Sequence, residues 1–234
     1  MGRRGPSEAA PWPDLFGDPA DTALRCGQAE AWAQRQGIRA LIGLDEAGRG
    51  PLAGPVVAAA VALPSPCPIA GLDDSKRLSE VRREALVAPI HAHALAWAVA
   101  IVEPAEIDRL NILRASLEAM RRAWADVIAD VPNLRGAVVL VDGNQRAPLP
   151  GDVDQRPLVK GDARSLNIAA ASILAKVTRD HLMVAYDAQW PQYGFAGHKG
   201  YPTAAHRAAL REHGPSPIHR MSFRLPARDG APTP

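Results

Sequence analysis

Ile42-Gly43-Leu44-Asp45-Glu46-Ala47-Gly48-Arg49-Gly50-Pro51-Leu52-Ala53-Gly54-Pro55 runs from an apolar strand, through two adjacent carboxylates, into a turn where glycines flank an arginine. Side chains in a strand alternate between faces. Leu41 and Gly43 therefore share a face with Asp45, and Ile42 and Leu44 share one with Glu46. Adjacent acids diverge within a strand and meet at one ion only where the strand ends or where the second acid offers its carbonyl. Gly48 and Gly50 admit positive φ and close backbone approach, while Arg49 presents a planar set of donors suited to phosphate or sugar oxygens. The pattern reads as a metal site facing a phosphate. The ordinary alternative is a solvated strand-to-turn junction.

Working outward, residues 39–45 and 56–63 are expected to be strands joined by a tight glycine-rich connection. A third strand is expected at 95–102, a fourth at 136–142 and a short fifth at 157–160. Leu113, Leu117, Met120, Trp124 and Val127 recur at steps of four and three, with Asn111 placed to cap that helix and Pro132 beyond its end. A long helix is expected over 165–188, where Ala169, Ala170, Ala171 and Ser172 are small enough to lie close on a sheet. A shorter one spans 203–213, capped by Thr203 and stopped by Gly214 and Pro215. Over 79–93 the helical pattern meets Pro89, which lacks a backbone donor and is expected to kink or end it. The order of elements predicts an α/β sheet covered on both faces, with a small helical C-terminal part from about residue 190.

The chain has 234 residues, 47% of them apolar, enough for one full core, expected over 22–224. Residues 1–21 are rich in Pro, Gly and charge and are expected to form a flexible extension, with a flexible tail at 225–234. The longest apolar run, 56–63, is only strand length, and no secretory signal is visible. Cys26 and Cys67 lack metal-ligand spacing and read as free thiols in a reducing compartment, so a cytoplasmic location is expected. A monomer is expected as well. A net charge of +2 implies no nucleic acid by itself. Between His198 and Arg224, however, lie Lys199, Arg207, Arg211, Arg220 and three further histidines, against Glu212 as the sole acid. That run is either a basic surface or a solvated helix face balanced by acids elsewhere.

Two further acids stand out. Asp142 ends the apolar run 137–141 ahead of Gly143 and Asn144, at a strand terminus of the kind where open α/β sheets bind ligands; an ordinary turn acid is the alternative. Asp162 precedes the long helix in Val159-Lys160-Gly161-Asp162, where it could equally cap exposed amides. With Asp45 and Glu46 they make four carboxylates from two strand ends and one helix start. Hard cations such as Mg²⁺ take oxygen ligands and keep waters, so such a set suits a pair of them. Two ions roughly 3.5–4 Å apart activate water and stabilise the leaving oxygen in displacement at phosphorus. Phosphodiester hydrolysis is the leading chemistry.

Seven motifs occur in order: Asp45-Glu46-Ala47-Gly48-Arg49-Gly50, Asp73-Asp74-Ser75-Lys76-Arg77-Leu78-Ser79, Val141-Asp142-Gly143-Asn144, Lys160-Gly161-Asp162, Ala170-Ala171-Ser172-Ile173-Leu174-Ala175-Lys176-Val177-Thr178-Arg179-Asp180, His198-Lys199-Gly200-Tyr201 and His219-Arg220-Met221-Ser222-Phe223. In this the chain resembles ribonuclease HII, the bacterial type 2 ribonuclease H, over residues 38–224. The resemblance implies a ribonuclease H-like mixed five-stranded sheet flanked by helices, with the family's metal ligands on Asp45, Glu46, Asp142 and Asp162 and Mg²⁺ or Mn²⁺ as cofactor. It implies endonucleolytic hydrolysis of the RNA strand of RNA/DNA hybrids and cutting 5′ to single ribonucleotides in duplex DNA, leaving 3′-hydroxyl and 5′-phosphate. Discrimination then rests on the 2′-hydroxyl. In the family it is read by backbone groups matching Gly48, Arg49 and Gly50 and by a tyrosine matching Tyr201, which also stacks on the following sugar. A surface or core tyrosine is the alternative.

Lys76, Arg77, Lys176 and Lys199 are candidates for phosphate contacts, which position a duplex without reading bases and weaken with salt. For Lys176, a packed stem with a solvated head is equally expected. Asp180, in the long helix, is read as the partner of a neighbouring Lys or Arg rather than as a ligand. The Pro-rich N-terminal extension and Pro89 depart from the family pattern, and Asp152 and Asp154 compete for the place given to Asp162. A different two-metal nuclease would have no use for Gly48, Arg49, Gly50 and Tyr201. A noncatalytic hybrid binder would have no use for the four acids.

Overall fold

The centre of the sheet is β1 (Leu41–Ala47), paired antiparallel with β2 (Val56–Ala62) on one side and parallel with β4 (Val138–Asp142) on the other. β3 (Ala96–Val102) and β5 (Gln155–Leu158) complete the order β3-β2-β1-β4-β5, β3 antiparallel to β2 and β5 parallel to β4. The computed structural model describes residues 25–227, so the extension expected at 1–21 and the tail from 228 onward lie outside the described residues. Because β1 and β4 are parallel, their C-terminal ends lie on the same edge of the sheet, carrying Asp45 and Asp142 to that edge together.

Small side chains set the layer spacing. β2 reads Val-Val-Ala-Ala-Ala-Val-Ala and is buried along its whole length, since helices cover both of its faces. On one face Ile42, Leu44, Val139 and Val141 pack with Met120, Trp124 and Val127 of α4 (Ile112–Asp130). On the other, Val57, Ala59 and Val61 pack with Ala169, Ala170 and Ile173 of α5 (Leu166–Gln189) and with Leu86 and Ile90 of α2 (Glu80–His93). α5 crosses so close to β1 that a Cβ on Gly43 would overlap the backbone of Asn167 and Ile168. Leu41, Leu140, Leu158 and Ile168 form a smaller cluster with Trp32 and Ala33 of α1 (Gln28–Arg35). Among the described residues, no helix is long and apolar enough to cross a membrane.

Several expected boundaries move. β1 continues two residues past Asp45, because Asp45, Glu46 and Ala47 stay in register with Ala59, Ala58 and Val57. β5 lies two residues earlier than expected, pairing with β4 until Asp142 meets Leu158. Exposed Val159 and left-handed Lys160 (φ 56°) then turn the chain. α2 runs through Pro89 to His93, held by the buried Leu86 and Ile90 on either side of it. In α4 the buried stripe is Ala115, Ser116, Ala119, Met120, Ala123, Trp124, Val127 and Ile128, with Leu113 exposed. Alanines face the sheet there because close packing, and not hydropathy alone, decides the face. Asn111 caps α4 as expected, its Oδ1 accepting from Arg114 N–H at 3.1 Å. α1, α3 (Pro104–Leu110) and α6 (Phe195–His198) are too short for periodicity to reveal. α7 (Ala204–His213) is capped by Thr203, which accepts from His206 N–H at 3.2 Å.

Candidate active site

Asp45, Asp142 and Asp162 converge, each offering a carboxylate oxygen within 4.8 Å of the others. Asp45 comes from β1 and Asp142 from the last position of β4. Asp162 lies in a single 3₁₀ turn, Gly161–Ala163, ahead of α5. That turn is welded to the sheet: Gly161 N–H donates to Asp142 Oδ1 at 2.8 Å, and a Cβ on Gly161 would lie 3.1 Å from the same oxygen. Asp162 does not cap α5. Ser165 does, its Oγ accepting from Ile168 N–H at 3.3 Å, which leaves Asp162 with only its neighbour Ala163 N–H among backbone donors, at 2.9 Å. Asp152 and Asp154 are exposed, and Asp154 is held by both arms of Arg156 at 3.0 and 2.7 Å.

Glu46 sits beside this group and outside its tightest part. Strand alternation turns its side chain away from that of Asp45, and Oε1 accepts from Arg49 Nη1 at 3.2 Å.

The electrostatics are those of acids crowded without enough positive charge. Burial raises Asp45 well above the usual carboxylate range, with the charges of Asp142 and then Glu46 adding to it. Asp142 is raised by burial and then by Glu46. Asp162 is pushed up to about 6 by burial and then by Asp142. Glu46 is raised by burial against the pull of Arg49. Lys76 Nζ, 3.4 Å from Asp162 Oδ2, is an exposed cation facing the group. Oxygen donors this close, each disfavouring ionisation in its neighbours, could hold a hard divalent cation.

Residues 48–55 form the adjoining loop, and its shape is set from below by two buried arginines. Arg220, fully buried, donates to the carbonyls of Gly48, Arg49, Pro51, Gly54 and Pro55 at 2.6–3.1 Å. Arg179 donates to Pro55, Ala53 and Lys199 carbonyls at 3.0–3.1 Å, tying this loop to the Lys199–Tyr201 turn. Gly48 has φ 97°, and a Cβ there would overlap Arg179 Nε, so its close approach is to the interior. Gly50 has an ordinary backbone, and a Cβ there would stand 3.6 Å from the ring of Tyr201. Tyr201 is 42% exposed, and it faces the loop of Gly48, Arg49 and Gly50 across that gap.

The basic candidates divide. Lys176 Nζ is paired with Asp180 at 2.9 Å, which accounts for Asp180 as expected, and Lys199 Nζ folds back onto Ala196 carbonyl at 2.7 Å. Arg77 is exposed, with Asp73 at 3.3 Å. The C-terminal basic run is only partly a surface: Arg207 and Arg211 are exposed, whereas His206, His219 and Arg220 are buried. The sequence does not mark Arg179, His206, His219 and Arg220 as buried, because basic residues read as surface by default. One signal existed for Arg179, which lies midway between buried Ala175 and Met183 at steps of four along α5.

A mixed five-stranded sheet with carboxylates meeting at the ends of its central parallel strands defines a ribonuclease H-like nuclease. The Ribonuclease HII family model matches residues 42–225. Ribonuclease HII of Syntrophotalea carbinolica is 54% identical over 190 residues, covering 81% of this chain and 88% of the relative. That of Moorella thermoacetica is 56% identical over 192 residues, covering 82% and 89%. The crystal structure of the ribonuclease H2 from Pyrococcus horikoshii OT3 superposes with a TM-score of 0.59 at 26% identity, covering 79% of this chain and 93% of that one. Bst-RNase HIII in complex with Mn²⁺ shares the fold, with a TM-score of 0.64 at 19% identity, covering 82% and 69%. The chain belongs to the ribonuclease HII family. It is an endonucleolytic hydrolase acting on RNA/DNA hybrids, in a family that requires divalent metal.

Proposed function

We propose that this chain also cuts 5′ to single ribonucleotides in duplex DNA, and that it does so, as on hybrids, with two Mg²⁺ or Mn²⁺ ions held by Asp45, Glu46, Asp142 and Asp162. The observation that carries the reading is continuity. Asp45, one of the three converging aspartates, lies on the strand that runs on into the loop whose Gly50 faces Tyr201. Mn²⁺ is bound by Bst-RNase HIII, a protein of the same fold, which supports the choice of ions. When bound, the ions supply the charge that makes water nucleophilic and steadies the leaving oxygen.

The residues of the chain supply position. Asp45 and Asp142 are fixed by the parallel pairing of β1 and β4, and Asp162 by its welded turn, so the donor set is organised before substrate arrives. Glu46 contributes its carboxylate or its main-chain carbonyl. Its carboxylate is held by Arg49. Backbone groups of Gly48, Arg49 and Gly50 face the 2′-hydroxyl, and Tyr201 bonds to it and lies on the next sugar. Lys76, Arg77, Lys176 and Lys199 are the proposed phosphate contacts, with Lys76 the most exposed of the cations beside the acids; Lys176 and Lys199 would first have to leave their internal partners. In the reaction, water oxygen joins phosphorus, the bond from phosphorus to O3′ breaks, and a proton ends on O3′. The products are a 3′-hydroxyl and a 5′-phosphate.

Cys26 and Cys67 are free thiols, in keeping with a reducing cytoplasm, and the protein acts as a monomer in this reading. The test of the metal assignment is Asp45→Asn, which should abolish Mg²⁺-dependent cleavage while hybrid binding is retained. Persistent turnover would refute it.

A further inference from the structure

Two histidines, His206 and His219, form with Ser216 and the Tyr201 carbonyl a network that the proposed reaction does not use. Ser216 N–H donates to His219 Nδ1 at 2.8 Å, so the proton of that ring is on Nε2. At the other end, His206 Nδ1 meets the Tyr201 carbonyl at 2.9 Å and must donate, leaving Nε2 as an acceptor. The two Nε2 atoms are 3.0 Å apart. Ser216 Oγ lies at the same 2.8 Å from His219 Nδ1, so the tautomers assigned from opposite ends agree and the bonds run donor to acceptor from Ser216 N–H through His219 and His206 to the Tyr201 carbonyl. His219 also pairs through its backbone with Ala53 of the 48–55 loop. His219 and His206 in series thus join the loop beside the acids to the carbonyl of the tyrosine that faces it.

We infer that His206 and His219 are positioning residues for ribose discrimination, setting Tyr201 against Gly50 through this hydrogen-bonded relay. The inference rests on the proposed role of Tyr201. Both rings are buried, and protonating either would set N–H against N–H. Phe195 stands edge-on to His206 and Tyr193 tilts against His219; of the charged or titratable groups beside them, His198, stacked at 4.4 Å on His206, and Arg207 on α7 oppose protonation of His206, while its backbone contacts at Tyr201 and Gly200 favour it. Burial lowers His206, and burial with His206 beside it lowers His219 to about 4, in keeping with a neutral pair. His198 is a bystander to the relay, accepting from Gly200 N–H and donating to Tyr193 carbonyl.

An asparagine amide nitrogen falls near Nδ1 of the histidine it replaces, and a glutamine amide near Nε2. His206→Asn can keep the donation to Tyr201, whereas His206→Gln cannot. Losing one positioning hydrogen bond should lower kcat/KM on a single-ribonucleotide duplex about three- to tenfold in His206→Gln, with His206→Asn near wild type. Equal losses in both variants that follow their melting temperatures would reduce the pair to packing and overturn the inference. ¹⁵N spectra of the wild-type protein at neutral pH give a check that needs no variant. They should place the protons on His206 Nδ1 and His219 Nε2, and any other tautomer overturns the relay. Tyr201→Ala separates the levels: if it leaves ribonucleotide cutting intact, the reading of Tyr201 fails and this inference with it. If Tyr201→Ala is damaging and His206→Gln is silent, only the relay fails.

Discussion

Arg220 Nη2 donates to the carbonyl of Gly48 at 2.6 Å, from a side chain that no solvent reaches and that makes no direct ion pair among the described residues, Asp108 acting on it only through its charge. Burial, with Arg179 nearby, lowers the guanidinium to about 9, against the pull of Asp108; it stays charged at neutral pH, and five carbonyls take its protons in place of water. The loop beside the acids is thus folded around a cation. Arg220→Lys keeps the charge but not the planar fork, and should cost about 2–4 kcal/mol of stability. The measurement is denaturant unfolding. A variant as stable as wild type would show that the carbonyls do not depend on the fork.

Gly48 and Gly50 should part company when each is replaced by alanine. Gly48→Ala meets both a left-handed backbone and Arg179, so it should destabilise the fold by about 1–3 kcal/mol. Gly50→Ala meets neither, and it should melt like wild type while losing cleavage at a single ribonucleotide, because the new methyl stands between the backbone and the sugar. Melting curves and cleavage rates on the same preparations decide this.

Acidity and metal should compete for the same oxygens. Asp162 has its folded pKa raised to about 6 from an ordinary 3.8, so the folded state holds that proton more tightly than the unfolded chain. The metal-free protein therefore loses this contribution to stability as pH rises from the unfolded value through about 6. Over the same interval Mg²⁺ or Mn²⁺ should bind more tightly, and the rise in melting temperature on adding metal should be larger at about pH 7.5 than at about pH 5. A metal-induced shift independent of pH would contradict the assignment of these carboxylates as ligands.

Lys76 is the exposed cation that holds Asp162 down. Lys76→Gln should move the acid limb of the cleavage profile to higher pH and reduce the salt dependence of duplex binding by about one counterion. An unchanged acid limb would place Lys76 outside the acids' field.

Much of this arrangement was legible in the chain because it follows from short-range rules. Alternation placed Asp45 and Glu46 on opposite faces, and the apolar run ending at Asp142 placed a second acid at a strand end. Rules of that kind fail where a residue's environment is made by distant segments. Arg179, His206, His219 and Arg220 look like solvent-facing basic residues until the chain folds over them, and their partners lie mostly on backbone carbonyls that no composition reveals. The register of β5 failed for a related reason: its end is set by pairing with β4 and by the left-handed turn at Lys160, not by its own hydrophobicity.

The most direct measurement of the central claim is cleavage of three labelled duplexes, with and without Mg²⁺ or Mn²⁺: an RNA/DNA hybrid, a DNA duplex with one ribonucleotide, and plain DNA. The account predicts metal-dependent cutting of the first two, immediately 5′ to the ribonucleotide in the second, and none of the third. Comparable cutting of plain DNA, or cutting of any duplex after metal is removed, would contradict it.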